Sequence, residues 1–290
     1  MTLMRYFFLS LVLIAAFTVF AGCKSGSSGP SKPTLRLSMI PTNDPGKMLR
    51  DSDPLVSYLE KETGAKVRMT IPTNYAAVVE AIANDQVDIA YLGGFTYVQA
   101  VRRAGVNPLV QRDQDQNFHS LFITQPDSGI RSLADLKAHS FAFGDVNSTS
   151  GHLMPEYFMR QASVDADVIN KAVYTGGHDA TALAVANKKV DAGALDETVY
   201  QKMVKDGKLD PAKATVLYTT PSYFDYVWAA RKGLEPRLTE SFASAFLKLD
   251  ANNPEHKPVL EFLRATKYVR ANDGDYDKLR QAARDAGLLK

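Results

Sequence analysis

After residue 33, the spacing of apolar positions along the chain changes repeatedly between the period of a strand and that of a helix. The segment Thr34–Ile40 alternates apolar and polar positions, which predicts a half-buried strand. It is followed by a segment with Leu55 and Leu59 on one helical face, which closes at Gly64. This strand-then-helix order continues along the chain and indicates an α/β protein.

The same patterns predict the remaining elements. Further strands are expected at residues 66–71, 87–92, 108–112, 119–124, 140–143, 172–174, 190–195, 216–219 and 225–231. Further helices are expected at residues 75–84, 95–104, 153–161, 179–187, 197–205, 235–249, 258–264 and 276–286.

Two alternating sets of elements are joined by two crossing strands, at residues 119–124 and 225–231. Alternating order favours mostly parallel sheets with helices on both faces. We therefore expect two lobes with a hinge between them. Lobe one is predicted to comprise residues 34–122 and 224–290, and lobe two residues 123–223. Ligands of such sheets bind beyond the carboxyl ends of the strands, so the cleft between the lobes is where chemistry is expected.

The first 22 residues have the layout of a secretory signal peptide. A single cation, Arg5, precedes an apolar run, and small residues stand before Cys23. The ending Phe20-Ala21-Gly22-Cys23 resembles the lipobox of bacterial lipoproteins, in which the cysteine is lipidated after cleavage. Phe20 stands where that family usually has Leu. Plain secretion and an uncleaved membrane anchor are the alternatives.

Residues 23–33 are rich in Ser, Gly and Pro, which predicts a flexible tether. Cys23 is the only cysteine, so the exported domain has no disulfide and depends on its core for stability. Arg5 is the only charged residue among residues 1–22, so their removal lowers the formal net charge from +2 to +1. This balance gives no support for a nucleic-acid partner.

A turn rich in hydroxyl groups joins the strand ending at Phe143 to the helix that follows. Ser148, Thr149 and Ser150 lie there, where free backbone N–H groups and the helix dipole favour an anion. Simple helix capping is the alternative, although one cap needs only one hydroxyl group.

Two further strand-to-helix turns contain a pair of glycines. Gly176-Gly177 precedes His178, whose ring can donate to the same anion, and the alternative is a capping or exposed histidine. Tyr91 ends the strand before the other pair, and Tyr75 begins a helix. Both hydroxyls can reach the cleft, or both rings can be ordinary core aromatics.

Recognised catalytic motifs are absent from the sequence, which has no G-x-S-x-G, P-loop or H-E-x-x-H pattern. No second histidine or carboxylate stands at metal-ligand spacing from His178, and His119, His152 and His256 are far apart in the sequence, so neither a metal site nor a cofactor is expected. Ser148 and His178 can still form a nucleophile–base pair, with Asp196 or Asp225 orienting the histidine. Hydrolase activity therefore stays an alternative.

The three turns together resemble those of PhnD-type proteins, which are the phosphate-, phosphite- and phosphonate-binding components of ABC importers. The resemblance covers residues 35–249 and rests on the strand at residues 87–92 with Gly-Phe-Thr-Tyr after it, on Asn147–Gly151 and on Gly177–Asn187. It implies a periplasmic-binding-protein fold of the two-lobed, type II-like kind.

The resemblance also implies roles for single residues. Ser148, Thr149 and Ser150 correspond to the oxyanion cradle, and His178 corresponds to an imidazole donor. The other implied ligand-binding residues are an acceptor of a ligand proton, two pocket tyrosines and a residue near the first crossing: Asp225, Tyr75, Tyr91 and His119, with Phe118 as the alternative to His119. This chain departs from the family in having Gly93-Gly94-Phe95 where Gly-Pro-Phe is common.

The sequence therefore predicts an exported, lipid-anchored and monomeric solute-binding protein. It is expected to capture a small phosphorus oxyanion and deliver it to an ABC permease and ATPase complex. The alternative partner is a membrane signalling protein, because a sensory module can share this fold.

Mass spectrometry of the mature N-terminus tests the lipoprotein prediction. We expect the chain to begin at Cys23 and to carry the added mass of lipid on that residue. A chain that begins at Met1, or at a residue other than Cys23, would contradict it.

Overall fold

Two β-sheets organise the protein in this computed structural model, which describes residues 32–164 and 171–289. The predicted signal peptide, Cys23 and most of the predicted tether lie outside the described residues. None of the helices in the described ranges is long and apolar enough to cross a membrane.

The strands alternate with helices in the order that the sequence indicates. The strands are β1 (Thr34–Met39), β2 (Lys66–Thr70), β3 (Ile89–Leu92), β4 (Asn107–Arg112), β5 (Ser120–Thr124), β6 (Phe141–Phe143), β7 (Val173–Tyr174), β8 (Ala192–Asp196), β9 (Thr215–Thr219), β10 (Val227–Ala230) and β11 (Tyr268–Arg270).

The α-helices are Pro45–Asp51, Asp53–Thr63, Tyr75–Ala83, Gly94–Ala104, Met154–Gln161, His178–Ala186, Glu197–Lys205, Pro236–Leu247, Lys257–Leu263 and Asp277–Asp285. Short 3₁₀ turns occupy Asp113–Asn117, Leu133–Ala138 and Asp273–Tyr276, and a π-helical turn occupies Thr149–Leu153.

Each sheet contains a crossing strand that is antiparallel to both of its neighbours, and in the six-stranded sheet the edge strand β11 is antiparallel to β4 as well. The six-stranded sheet has the order β11-β4-β10-β3-β1-β2, and β10 is antiparallel to both β3 and β4. The five-stranded sheet has the order β7-β6-β8-β5-β9, and β5 is antiparallel to both β8 and β9. We call the part built on the six-stranded sheet lobe one and the part built on the five-stranded sheet lobe two. The predicted two-lobed α/β fold is confirmed.

Two elements differ from the sequence-based prediction. A helix that was not predicted begins at Pro45, between the first strand and the helical segment with Leu55, and Asp44 accepts a hydrogen bond from the Lys47 N–H at its start. Only Met48 of this helix is buried, so it has no apolar periodicity to reveal it. Strand β11 is only three residues long and was not predicted.

An ion pair is buried completely where β4 leads toward the first crossing. Arg112 donates to both carboxylate oxygens of Asp115, at 2.8 and 2.6 Å, and both side chains have zero exposure. Arg112 also donates to the Leu263 carbonyl at 3.3 Å, which ties the C-terminal region to the hinge. Such a pair is costly to break, because its remaining partner is left charged and buried.

Replacing Arg112 by Ala is therefore expected to lower the free energy of unfolding by about 3–5 kcal/mol. Urea denaturation measures this change. The control is Arg103→Ala, which removes a half-exposed pair with Glu80 within lobe one and should cost about 1 kcal/mol or less. Equal losses in the two variants would contradict a structural role for the buried pair.

Candidate functional site

The hydroxyl-rich turn lies at the start of the helix that follows β6. Ser148, Thr149 and Ser150 are all buried, and the π-helical turn places them ahead of the helix Met154–Gln161. Ser148 caps this turn by accepting a hydrogen bond from the Gly151 N–H at 3.0 Å. Helix capping therefore uses one of the three hydroxyl groups and leaves two for other work.

The other two hydroxyls face different surroundings. Thr149 Oγ1 accepts a hydrogen bond from the Phe95 N–H at 3.0 Å, which joins lobe two to the first turn of a helix in lobe one. Ser150 Oγ is buried and has no hydrogen-bond partner among the described residues. A buried hydroxyl without a partner is costly, so this atom is a candidate donor to a ligand.

His178 has its protonation fixed by its neighbours. Its Nδ1 accepts a hydrogen bond from the Asp196 N–H at 3.2 Å, which requires the ring proton to lie on Nε2. Burial lowers the pKa of His178, so the imidazole is neutral. Its Nε2 lies 3.3 Å from the Tyr75 hydroxyl oxygen. The ring is thus a neutral donor, as the sequence suggests.

Tyr75 begins its helix at the cleft. Asn74 caps that helix by accepting from the Ala77 N–H at 2.9 Å, and the Tyr75 N–H donates to Asp145 of lobe two at 3.3 Å. Burial raises the pKa of Tyr75 well above its usual value, so the hydroxyl keeps its proton. Tyr75 and His178 together place two hydrogen-bonding groups from opposite lobes side by side.

Asp225 has one carboxylate oxygen bonded and one free. Oδ1 accepts a hydrogen bond from the Gly94 N–H at 2.8 Å, whereas Oδ2 is buried with no partner among the described residues. Burial raises the pKa of Asp225 to about 8, and the Gly94 N–H and the Thr149 hydroxyl act in the opposite direction. The carboxyl group therefore changes charge near neutral pH.

Glycines allow these groups to approach one another. A Cβ atom on Gly93 would lie 3.1 Å from Thr149 Oγ1 and 3.4 Å from Asp225 Oδ1. A Cβ atom on Gly151 would lie 2.9 Å from the His178 ring. Because a side chain at Gly93 would meet Thr149, the two lobes approach closely there, and the Gly151 distance shows that lobe two is tightly packed around His178.

Two predicted residues lie away from this cluster. Tyr91 stacks on Tyr226 with ring centroids 5.2 Å apart, and its buried hydroxyl has no partner among the described residues. His119 lies at the first crossing, where its Nδ1 donates to the Thr220 carbonyl at 2.7 Å and its N–H donates to Glu197 at 3.0 Å. The structure does not bring His119 into contact with the hydroxyl cluster, and its ligand role stays a prediction.

Sequence reasoning missed the backbone donors of lobe one. The helix Gly94–Ala104 has no side-chain cap, and its first two N–H groups donate to Asp225 and Thr149. The Gly93-Gly94 pair indicates a strand-to-helix turn in the sequence. The sequence does not show which side chains accept hydrogen bonds from the N–H groups of that turn. The sequence likewise gives no signal for the contact of Tyr226, whose hydroxyl donates to Asp196 at 2.7 Å.

The geometry also bears on a nucleophile–base arrangement. Ser148 Oγ is engaged with Gly151, and His178 is oriented by the backbone N–H of Asp196 rather than by its carboxylate. An open cleft of about 810 Å³ has Thr42, Asp179 and Arg264 on its wall, and its lining includes Tyr91 but none of the residues of the hydroxyl cluster. The arrangement is suited to holding an anion with neutral donors.

Comparison with known proteins gives the family. Residues 37–276 match the family described as "ABC transporter, phosphonate, periplasmic substrate-binding protein". The chain belongs to this family. It is therefore a substrate-binding component of an ABC transporter that works outside the cytosol, as predicted from the three turns.

Relatives agree over the whole length of the chain. It is 32% identical to the probable ABC transporter phosphite binding protein PhnD1 of Prochlorococcus marinus, with 99% of each chain covered. It is 30% identical to the phosphate-import protein PhnD of Mycolicibacterium smegmatis, with 95% of each covered.

A solved structure gives the same fold. PhnD1 from Prochlorococcus marinus in complex with methylphosphonate superposes with a TM-score of 0.84 at 30% identity, covering 88% of this chain and 99% of that one. The two-lobed architecture and the family assignment therefore rest on both sequence and structure.

Replacing Asp225 by Asn tests the burial of its carboxyl group. The folded protein binds a proton at Asp225 more tightly than the unfolded chain, so the stability that this group contributes is lost as pH rises from about 4 to about 8. We expect the free energy of unfolding of the ligand-free variant, relative to that of the parent, to be higher at about pH 8 than at about pH 5. The expected difference between the two pH values is a few kcal/mol. Thermal or urea denaturation at the two pH values measures it.

The control is Asp127→Asn on the surface. Lys188 lowers the pKa of Asp127, so this carboxylate is ionised at both pH values and its replacement should show no such trend. A stability difference for Asp225→Asn that does not change with pH would contradict the raised pKa.

Proposed function

We propose that this protein captures a small phosphorus oxyanion, such as phosphite, a phosphonate or phosphate, between its lobes and delivers it to an ABC permease. The observation that carries the proposal is a pair of buried polar atoms without partners among the described residues, Ser150 Oγ and Asp225 Oδ2. One is a donor and the other can accept a proton, and they belong to opposite lobes. A ligand with several oxygens, of which one carries a proton, complements both.

The anion is held by neutral donors. His178 Nε2–H, the Ser150 hydroxyl and the Tyr75 hydroxyl supply hydrogen bonds from side chains, and the first turns of two helices supply partial positive charge. No lysine or arginine is needed next to the ligand. Each donor is already oriented by a protein contact or by burial, which lowers the entropy cost of binding.

Asp225 gives selectivity for a protonated ligand oxygen. An ionised Asp225 accepts a hydrogen bond from a monoprotonated oxyanion, whereas a fully ionised anion is repelled. Because the pKa of Asp225 is about 8, the aspartate and the ligand can hold one proton between them over the neutral range.

The small space favours small substituents on phosphorus. Gly93 and Gly151 lie against Thr149 and His178 with almost no spare room, and the bulky Tyr226 follows Asp225 directly. Phosphite, phosphate and methylphosphonate are therefore preferred over aminoethylphosphonate. The names of the relatives, which refer to phosphite and phosphate, are consistent with this range.

Delivery follows from closure of the lobes. A ligand that bonds both lobes stabilises the closed form, which the permease recognises. Lobe one is proposed to comprise residues 34–122 and 224–290, with residues 123–223 forming lobe two. The protein is proposed to act as a monomer tethered through a lipid on Cys23 after removal of residues 1–22. Tethering raises the local concentration of the loaded protein beside the transporter.

Enzymatic turnover is not proposed, because His178 accepts at Nδ1 from the Asp196 N–H and carries its proton on Nε2, which leaves no ring nitrogen free to act as a base for Ser148. Incubation with phosphonates or phosphoesters, followed by a phosphate-release assay, distinguishes the two functions, since a binding protein releases none. A sensory partner is distinguished by the neighbouring genes, which encode a permease and an ATPase if the proposal is right.

A thermal-shift panel tests the ligand class. Phosphate, phosphite, hypophosphite, methylphosphonate and aminoethylphosphonate are each added to the purified domain. A ligand at about 100 times its Kd adds about 2.7 kcal/mol of stability, which is a clear shift in Tm. Absence of a shift with every compound would remove the proposed function.

Replacing Ser150 by Ala tests the hydroxyl cradle. The hydroxyl has no partner in the described part of the chain, so the ligand-free Tm should stay the same or rise, while calorimetry should show affinity lower by about tenfold or more. The triple variant Ser148→Ala, Thr149→Ala and Ser150→Ala should abolish measurable binding. The control is Ser52→Ala, a buried serine that donates to the Leu49 carbonyl between two helices of lobe one and should leave affinity unchanged. Parent-like affinity in the triple variant would refute the cradle.

A further inference from the structure

Asp196, at the end of β8, has both carboxylate oxygens engaged in different parts of the protein. Oδ1 caps the helix Glu197–Lys205 of its own lobe, accepting from the Thr198 N–H at 2.6 Å and the Val199 N–H at 3.0 Å. Oδ2 accepts a hydrogen bond from the Tyr226 hydroxyl at 2.7 Å, and Tyr226 packs in the core of lobe one. This buried carboxylate therefore holds the two lobes together.

The Tyr226 ring is fixed on the side of lobe one. It stacks on Tyr91 with the planes 9° apart, and the edge of Phe118 meets it at 5.5 Å. The Arg112 guanidinium carbon lies 4.8 Å from the ring centroid, in cation–π range. The hydroxyl thus points at Asp196 from a rigid base, so little side-chain entropy is lost when the hydrogen bond forms.

Arg264 makes a second contact between the lobes, next to the Tyr226–Asp196 hydrogen bond. It ends the helix Lys257–Leu263 with φ = 50°, and its carbonyl accepts from Gln114 Nε2 at 3.0 Å, which holds this left-handed conformation. Its Nε donates to Thr198 Oγ1 at 3.1 Å, and its Nη2 lies 4.0 Å from Asp196 Oδ2. An arginine of lobe one therefore faces the same carboxylate of lobe two.

The contact is linked to the ligand site through one backbone bond. The Asp196 N–H donates to His178 Nδ1 and so keeps the ligand-facing proton on Nε2. Burial alone would raise the pKa of Asp196, but Arg264, His178 and the Tyr226 hydroxyl among others lower it to about 2. The carboxylate is consequently charged at physiological pH, and charge-assisted hydrogen bonds are the stronger kind.

We propose that Asp196, Tyr226 and Arg264 form a latch between the lobes that slows release of the captured ligand. The latch rests on the proposed function for its ligand, but its contacts are made by the protein alone. Asp196 is a positioning residue in this scheme: it orients His178 through its backbone and holds lobe one through its side chain. Opening of the cleft must break the contacts that Tyr226 and Arg264 make with lobe two.

The test compares Tyr226→Phe with Tyr97→Phe. Each change removes one tyrosine-to-aspartate hydrogen bond and keeps the ring, but Tyr97 donates to Asp273 within lobe one. Release of phosphite, or of methylphosphonate or phosphate where the parent binds it more tightly, is followed by stopped-flow fluorescence of Trp228, the only tryptophan. We expect Tyr226→Phe to raise the release rate about tenfold with association changed by less than about twofold, and Tyr97→Phe to alter neither.

A second variant, Arg264→Ala, is expected to raise the release rate as well, with Arg103→Ala as its control. Combining Tyr226→Phe with Arg264→Ala should give less than the product of the two single effects, because both act on Asp196 Oδ2. Release rates for Tyr226→Phe equal to those of the parent and of Tyr97→Phe overturn the latch.

A measurement without ligand separates this proposal from the proposed function. Small-angle X-ray scattering of the ligand-free proteins should give Tyr226→Phe a larger radius of gyration than Tyr97→Phe, because the open form becomes more populated. If no phosphorus oxyanion binds the parent protein, the proposed function fails and the latch is judged by these radii. Equal radii then overturn the latch too.

Discussion

Burial of the Asp225 carboxyl group with one oxygen bonded and the other free is the constraint on which the site depends. The Gly94 N–H satisfies Oδ1, and nothing in the described chain satisfies Oδ2. A charged group cannot be left in this state without a large cost, so its pKa rises to about 8. In the proposed function, a protonated oxyanion supplies the missing partner of Oδ2, so that affinity and selectivity for protonation state would arise from the same atom.

Asp196 is equally buried and behaves in the opposite way. Its two oxygens are bonded to a helix terminus and to Tyr226, and Arg264 lies nearby, so its pKa falls to about 2. The two aspartates show that burial alone does not decide the charge of a carboxyl group, because the number and charge of its partners decide it. Asp225 keeps one oxygen without a partner among the described residues, whereas the second oxygen of Asp196 is bonded by the opposite lobe.

The buried Arg112–Asp115 pair positions two residues of lobe one that contact Asp196, namely Tyr226 and Arg264. The Arg112 guanidinium packs against the Tyr226 ring and donates to the carbonyls of Leu263 and Arg264. A buried pair of this kind contributes little net stability, but it fixes geometry because separating the two charges leaves each of them buried without its partner. Here it holds Tyr226 and Arg264, the two side chains of lobe one that contact Asp196 and Thr198 of lobe two. The rigid position of these side chains near the hinge therefore determines where the two lobes contact each other.

The sequence by itself determined the order of strands and helices, the two crossings and the turns that carry Ser148–Ser150, His178 and Asp225. These follow from local periodicity and from the fixed relation between strand ends and helix starts. It did not determine which of the three hydroxyls is free, which His178 nitrogen carries the proton, that Tyr226 bonds Asp196, or that His119 bonds Thr220. The helix Pro45–Asp51 also escaped prediction, because a single buried residue leaves no period to detect. The contacts across the cleft join residues far apart in the chain, so they depend on how the two lobes dock. Only the tertiary structure decides that, since hydrogen bonds are selected by distances of a few tenths of an ångström.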